Sequence, residues 1–385
     1  MHLVGRALRK GWEVRKLGEI IEIKNGKNQQ LVLSENGKYK IMGSAGNVMG
    51  YATDYICDAG TTIIGRKGNI SKPIYINEKF WNVDTAFGLY PKNENDMDKR
   101  FVYYLCLGID FKSMNRGTTI PSLVKSELQS IQILFPKSLI KQQKIVAILD
   151  EAYGAIEKAK ENAKRNLAHA KELFESYLQS VFENPTIDWE ICNLENHIKL
   201  IDYRGRTPVK TESGVRLITA KNVKIGYLQL EPQEFIATDN YESWMSRGIP
   251  NFGDIIFTTE APLANVAQIN TTEKLAFAQR IIVMQPNPNK VNQTFLKYLL
   301  LSNPIRTKIL SSGTGATVLG IKSSLLKKIE IYFPKSIIDQ QTIVKKLDTL
   351  SEQTKNLEKI YEQKIINLDE LKKSILQKAF NGELI

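Results

Sequence analysis

Two stretches of this chain are copies of one another. Gly117–Asp150 reads GTTIPSLVKSELQSIQILFPKSLIKQQKIVAILD, and Gly315–Asp348 reads GATVLGIKSSLLKKIEIYFPKSIIDQQTIVKKLD, an ungapped match at an offset of 198 positions (117 to 315). The same offset carries Glu172, Leu173, Ser176, Leu178, Gln179 and Phe182 onto Glu370, Leu371, Ser374, Leu376, Gln377 and Phe380. Solenoid repeats have periods of about 20–50 residues, so a repeat this long is a duplicated domain together with its helix. A chain of two similar halves suits a bipartite partner of approximate two-fold character. The chain has 385 residues, 42% of them hydrophobic, which is ample for two cores.

Each half opens on a tryptophan: Trp12-Glu13-Val14-Arg15-Lys16-Leu17, then Trp189-Glu190-Ile191-Cys192-Asn193-Leu194. Here the offset is 177 (12 to 189), so the second copy carries about 21 more residues before the shared close. The middles contain short apolar runs (Thr61–Ile64, Ile74–Ile76, Ile255–Thr258, Ile281–Met284) broken by Gly, Asn and Pro. That pattern predicts compact α+β domains rich in turns. After each middle, Phe-Pro-Lys-Ser (135–138 and 333–336) ends a strand, because proline disfavours the helical conformation of the residue before it. A long helix follows in each copy. A seven-residue spacing picks out Leu149, Ile156, Ala163, Ala170 and Tyr177 in the first, with Ala152, Ala159 and Leu173 alongside. The second has Leu347, Thr354, Tyr361, Leu368 and Ile375, with Leu350, Leu357 and Leu371. These heptad seams predict two helices that pair. Asn184-Pro185 closes the first helix and Asn381-Gly382 the second. The expected domains are 1–137 and 185–335, with spacer helices over 138–184 and 336–385. The fold class is α+β, two domains in tandem with a pseudo-two-fold internal repeat, the helices pairing as an antiparallel coiled coil.

A net charge of +12 and a pI near 9.3 favour a polyanionic partner. No run approaches the roughly 18 apolar residues of a membrane span, and MHLVGRALRKGWEVRK lacks a signal-peptide core, so a cytoplasmic protein without a membrane partner is expected. Cys57, Cys106 and Cys192 are widely spaced and fit reduced thiols rather than disulfides or zinc ligands. The only histidines are His2, His169 and His197, which gives acid–base or metal chemistry little to work with. No GxxxxGK[ST] phosphate loop occurs, and the glycine run Gly313 to Gly320 has the wrong spacing for a dinucleotide fingerprint. Three Asn-Pro pairs (184, 287 and 303) lack the second proline of an amino-methyltransferase motif. The alternatives are a coiled-coil adaptor that never touches DNA, or a DNA-acting enzyme with a scattered carboxylate site.

The repeated order of these elements resembles the specificity subunit of type I restriction-modification systems. Leu376–Leu384 (LQKAFNGEL) is similar to that family's C-terminal close. Gly65-Arg66-Lys67-Gly68-Asn69 followed by Phe80–Phe87, and Gly253–Pro262, resemble two forms of its target-recognition domain. Gln142-Gln143 and Gln340-Gln341 stand where the family often has Glu-Gln, and Ala264 stands where a glycine often follows the Ala-Pro element. The resemblance implies that each recognition domain reads one half of a split double-stranded DNA target, with the helices as spacer. It also implies two modification (methyltransferase) subunits that bring S-adenosylmethionine and a restriction/translocase subunit that uses ATP. The chain itself then needs no cofactor, holds no metal and catalyses nothing. Lengthening both helices by one heptad is expected to add about 10 Å, or roughly three base pairs, to the spacer.

Bases are read by bidentate Arg, Lys, Asn and Gln, and phosphates are held by Lys, Arg, Ser, Thr and backbone amides. Candidates in the first domain are Ser44, Asn47, the glycine-flexed Arg66, Lys67, Asn69 and Lys72, and the loop of Asn115, Arg116 and Thr118. In the second they are Arg204, Arg206 and Thr207, Lys221 and Asn222, Thr258-Thr259-Glu260, Gln279-Arg280, and Ser312 with Thr314. The two middles differ in sequence, so the two half-sites are expected to differ.

Overall fold

The computed structural model describes residues 10–205, 207–315 and 317–385. His2 and the candidate Arg206 lie outside the described residues. The chain divides into two compact units. One comprises the chain up to Lys164 together with Glu362–Ile385; the other is Arg165–Tyr361.

The first unit opens with β1 (Trp12–Lys16), α1 (Leu17–Ile20), β2 (Ile21–Asn25), β3 (Tyr39–Met42) and β4 (Val48–Ala52). It continues with β5 (Thr61–Gly65), β6 (Ile74–Ile76), β7 (Phe80–Asn82), β8 (Ala86–Pro91), α2 (Lys99–Leu107), α3 (Lys125–Ser130) and β9 (Gln132–Pro136). A 45-residue helix, α4 (Leu139–Glu183), leaves it. The second unit repeats the plan. Its elements are β10 (Trp189–Asn193), β11 (Ile198–Asp202), β12 (Val215–Ile218), β13 (Phe235–Ile236), α5 (Tyr241–Trp244), β14 (Ile255–Thr258), β15 (Val266–Gln268), β16 (Leu275–Phe277) and β17 (Ile281–Pro286). Then come α6 (Gln293–Leu301), α7 (Asn303–Ser311), α8 (Ser323–Lys327), β18 (Glu330–Pro334) and the 44-residue α9 (Ile337–Phe380).

The sheets match strand for strand. The four-stranded orders are β2-β8-β5-β6 and β11-β17-β14-β15; the three-stranded orders are β4-β3-β7 and β13-β12-β16. In each unit the opening strand pairs antiparallel with the closing one, Trp12 opposite Pro136 and Trp189 opposite Pro334. The tryptophan and Phe-Pro signatures are therefore the two ends of one ribbon that closes each domain. Most of the extra residues in the second copy lie in the longer connections on either side of β13, which include α5.

Both long helices start on the serine of Phe-Pro-Lys-Ser. Ser138 Oγ accepts from Lys141 N and Ser336 Oγ from Asp339 N, which caps exposed donors of the first turn. One turn in, a buried glutamine anchors each helix. The Gln142 amide donates to Pro136 O and Asp96 O and accepts from Asp98 N; Gln340 does the same with Pro334 O, Lys290 O and Asn292 N. A carboxylate at this place lacks both donors, so the first glutamine of each Gln-Gln pair is fixed by its bonds. The glutamine also ties the helix to the N-cap of α2 or α6, where Asp98 and Asn292 accept from Phe101 N and Phe295 N. At the other end of α9, Gly382 has φ +70 and its N–H reaches Ala379 O, while Glu383 N reaches Lys378 O, a left-handed stop of the kind Asn-Gly supplies.

The buried stripe on each long helix follows the expected heptad positions, with a flank that differs in part. Leu149, Ile156, Ala163 and Ala170 are buried, as are Leu347 and Thr354, but the flanking Leu173, Leu357 and Leu371 are exposed. The other expected flanking residues, Ala152, Ala159 and Leu350, are half-buried, and residues four positions after each heptad residue share the stripe: Tyr153 is buried, and Lys160, Leu167, Phe174, Ser351, Glu358, Ile365 and Lys372 are half-buried. Tyr153 packs edge-on against Tyr104 of α2, at 5.3 Å between centroids, so this end of α4 joins the core of the first unit.

The core of each unit is completed by the end of a helix that begins in the other copy. In the first unit Leu376, Ala379 and Phe380 of α9 join the core, with the Phe380 ring 5.4 Å from Phe101. In the second, Leu178 and Phe182 of α4 join the core, with Phe182 5.4 Å from Phe295. All three cysteines are free; burial pushes the thiols of Cys57 and Cys106 up to about 12, which makes them inert at neutral pH. Among the described residues no helix is long and apolar enough to cross a membrane.

Candidate nucleic-acid interface

In the first unit, three segments far apart in sequence are joined into one surface. The loop leaving β5 is held from below, as Arg66 N and Lys67 N both donate to Thr85 O in the turn between β7 and β8. From the side it meets the loop before α3, where Leu123 N reaches Arg66 O, Gly68 N reaches Pro121 O, and Lys67 bridges to Ser122. Gly68, at φ +80, supplies the left-handed turn this requires. The β3–β4 hairpin, which carries Ser44 and Asn47, approaches the start of β6. Gly46 takes φ +79, a left-handed conformation that favours glycine, and a Cβ there would come within 2.4 Å of Ile74 Cδ1, which would have to move.

The second unit builds the same junction from different side chains. Thr259 N donates to Arg280 O in the turn between β16 and β17, Ile321 N reaches Thr259 O, and Glu260 bridges to Gly320. A cavity of about 330 Å³ opens here, lined by Arg204, Thr259, Glu260, Gln279, Gly320 and Lys322 among others. The loop leaving β11 forms a further wall. Arg204 grips the Asp202 carboxylate through Nε and Nη2 and donates Nη1 to Ile321 O. Arg247 braces the same turn from the inserted segment, donating to the carbonyls of Asp202 and Arg204. Burial pushes the Asp202 carboxyl up, but its bonds to Arg204 and the nearby Arg247 outweigh that and hold it below the usual range.

The candidate residues divide into three groups. Asn47, Lys67, Lys72, Thr118, Thr207, Lys221, Arg280 and Thr314 are exposed, and Ser44, Arg66, Asn69, Gln279 and Ser312 are half-buried. Several of these are already engaged. Asn115 closes its own loop by accepting from Gly117 N and Ser122 N, Arg116 pairs with Glu127 at 2.8 Å, and Arg66 reaches Asp84 O. Ser312 Oγ caps α7 through Lys308 O, Arg280 pairs with Glu260 at 3.0 Å, and Gln279 accepts from Thr207 at 3.4 Å. Arg204, with both faces of its fork occupied, holds the loop in shape.

Two candidates are corrected. Asn222 is buried, its oxygen accepting from Thr219 N and Oγ1 and its amide donating to Gln229 O and Pro232 O, so it organises a turn and has no capacity left for DNA. Thr258 is likewise buried and spent, on Pro262 O and Asn265 N. Thr259 is also buried, yet its hydroxyl finds no partner among the described residues and the residue lines the cavity. Lys322 and Arg247 were not singled out in the sequence: one sits on an unremarkable helix approach, the other 43 residues from the turn it braces. Ala264 adopts φ +64, which explains why a glycine suits this place, and its methyl carries a strain of about 1–2 kcal/mol there.

Of the three histidines, His169 is exposed on α4. His197 bonds Glu190 at 2.8 Å and stands edge-on to Phe333. With Cys192 these form the one group among the described residues whose ligand atoms lie within 4.8 Å of one another, and two of the three already satisfy each other.

The family model for the type I restriction modification DNA specificity domain matches residues 9–164 and again 188–366, once per half. The chain belongs to that family. It resembles the type I restriction enzyme MjaVIII specificity subunit of Methanocaldococcus jannaschii, 24% identical over 404 residues, covering 97% of this chain and 93% of the relative. The EcoDI specificity subunit of Escherichia coli is 23% identical over 415 residues, covering 97% and 88%. The fold recurs in the HsdS subunit of Thermoanaerobacter tengcongensis, with TM-score 0.64, 16% identity and full coverage of both chains. It recurs also in a chain of a type I R-M system solved for its complex assembly and conformational transition, with TM-score 0.76, 16% identity, 98% of this chain and 100% of that one. The specificity chain of such a system recognises DNA and is not its catalytic component, which sets aside the adaptor and nuclease alternatives.

Proposed function

We propose that the chain reads a bipartite, asymmetric double-stranded DNA target in the cytoplasm. In this reading the first half-site is bound by the domain up to about residue 137, and the second by the domain over about 185–335. One observation carries it: the two units assemble the same three-loop junction by matching backbone hydrogen bonds, yet fill it with different side chains. A conserved frame with exchanged contacts is what two readers of two different sequences require. Lys67, Lys72, Asn47, Asn69 and Thr118 are the contact residues in the first domain, and Thr207, Lys221, Gln279 and Thr314 in the second.

The long helices pair as an antiparallel coiled coil. Supporting this, Tyr153 Oη donates to Lys372 O, Glu157 binds Lys372 at 2.5 Å, and Lys160 binds Asp369 at 2.5 Å, so one helix runs down as the other runs up. In the second unit Asn166 meets the Tyr361 hydroxyl in the same sense. Two modification subunits dock on this scaffold, bringing S-adenosylmethionine, and a restriction/translocase subunit brings ATP; the chain itself carries no cofactor. Apolar side chains left exposed at repeat-matched positions, Ile140 with Ile338 and Leu173 with Leu371, support two equivalent docking places.

The test is to sequence the modified bases in DNA from cells that express this chain with its cognate modification subunit. Two short, dissimilar half-sites separated by a fixed gap are expected. A single uninterrupted motif, or no motif, contradicts the proposal.

A further inference from the structure

Lys67 and Glu260 hold the same place in the two units. Each is the residue of the β5 or β14 loop that bridges to the loop before α3 or α8, Lys67 to Ser122 and Glu260 to Gly320, and Ser122 and Gly320 are themselves repeat partners at the 198 offset (122 to 320). Their neighbours correspond too, because Arg66 N and Thr259 N each donate to matching turns, between β7 and β8 and between β16 and β17. At this one place the duplicated frame presents a cation in the first domain and an anion in the second.

An anion here needs an explanation. A carboxylate turned toward DNA is repelled by the phosphates unless a cation offsets it and a base amine bonds it. Glu260 has the first condition built in: its Oε1 forms an ion pair with Arg280, 3.0 Å from Nε. Its Oε2 carries no hydrogen bond among the described residues, and Glu260 lines the 330 Å³ cavity beside the unpartnered Thr259 hydroxyl. Gly320 keeps the opposite wall low, since a Cβ there would sit 3.3 Å from Glu260 Cβ and 3.5 Å from Oε2. Lys67, by contrast, is exposed, and among the described residues no carboxylate pairs with its ammonium. One site is an acceptor held ready for a donor; the other is a donor held ready for an acceptor.

We propose that Glu260 and Lys67 are matched specificity-determining residues of opposite polarity. Glu260 accepts from an exocyclic base amine in the second half-site, cytosine N4 foremost, and Lys67 donates to the O6/N7 edge of a guanine in the first. Arg280 is a positioning residue: it orients Glu260 and offsets its charge, so that the free oxygen faces the base. This rests on the reading of the chain as a two-site DNA reader, and it adds the chemistry by which one position of each half-site is chosen.

The test selects bound sequences from a randomised DNA library with the full chain in complex with its modification subunits. The unaltered chain is compared with Glu260→Gln and Lys67→Glu. Glu260→Gln is expected to move one position of the second half-site from cytosine toward adenine, because glutamine pairs bidentately with adenine, and to leave the first half-site alone. Lys67→Glu is expected to change one position of the first half-site only. Discrimination at the altered position is expected to change by roughly 5- to 150-fold. If Glu260→Gln melts early, the exposed Lys67→Glu carries the test alone. A selected motif unchanged in both variants, or a uniform loss of affinity across all sequences, overturns the proposal. If even the unaltered chain selects no bipartite motif, the fault lies with the underlying reading.

Discussion

The two units share a frame but spend their side chains differently, and the difference separates what the duplication had to keep from what it was free to change. The buried glutamine at the helix start, the asparagine or aspartate cap it touches, and the phenylalanine at the far helix end recur with near-identical contacts. The junction loops recur in their backbone bonds but not in their side chains. Between these extremes lies the anchor where each long helix meets α2 or α6. Asp150 is held by both Tyr104 and Arg100, and Arg100 also lies over the rings of Tyr75 and Tyr103. Asp348 is held by Tyr298, while Lys297 lies over the Tyr298 ring at 4.1 Å, with burial pushing its pKa down. The same helix is fixed by a crowded cationic cluster in one unit and by a single phenol in the other.

The largest effect should come from the exchanged helix ends. Phe182→Ala and Phe380→Ala each remove a fully or nearly fully buried ring, at a cost of about 3–5 kcal/mol. Hydrogen exchange should show Phe380→Ala loosening the first unit and Phe182→Ala the second. Loosening of the unit that contains the start of the mutated helix would break the comparison.

Gln142→Glu and Gln340→Glu come next. Each leaves two carbonyls, one of them buried, without a donor and buries a charge, for about 2–4 kcal/mol by chemical denaturation. Equal losses would show that the two anchors are interchangeable; a tolerated change in one would show that they are not.

A smaller and unequal pair is expected at the tyrosines. Tyr298→Phe should cost about 1–2 kcal/mol, because Asp348 loses its partner, and Tyr104→Phe roughly half as much, because Arg100 keeps Asp150 engaged. The smallest difference is electrostatic. The bond from Lys372 lowers the Glu157 pKa and the bond from Lys160 lowers that of Asp369. A depressed carboxylate stabilises above its unfolded pKa near 4 and loses that contribution as pH falls through the folded value. Both pairs are half-exposed, so the loss should stay under about 1 kcal/mol. Lysines, Lys355 and Lys171, replace these two carboxylates at the repeat-matched positions, so melting between pH 7 and pH 3 should weaken the helix contact of the first unit more than that of the second.

Much of this comparison could be read from the sequence, because duplication leaves a mark that needs no structure. The 198-residue offset located both helices, and proline and Asn-Gly marked their ends. What escaped depends on contacts between residues far apart in the chain. Heptad spacing does not reveal that Tyr153 turns toward Tyr104, or that Leu173 and Leu371 stay exposed. Residue type alone does not distinguish Asn222, consumed by four bonds within a turn, from Asn47 at the surface. Arg204 and Arg280 look alike in sequence, yet one is a brace and the other orients a carboxylate.

The central claim, that each half reads its own DNA independently, is tested most directly by grafting. Because the opening and closing strands pair in the same register in both units, residues 12–136 can replace 189–334 between the same flanking segments. DNA modified by the complex of this variant should carry the first half-site twice and lack the second. Persistence of the original second half-site, or its replacement by an unrelated sequence, would contradict the account.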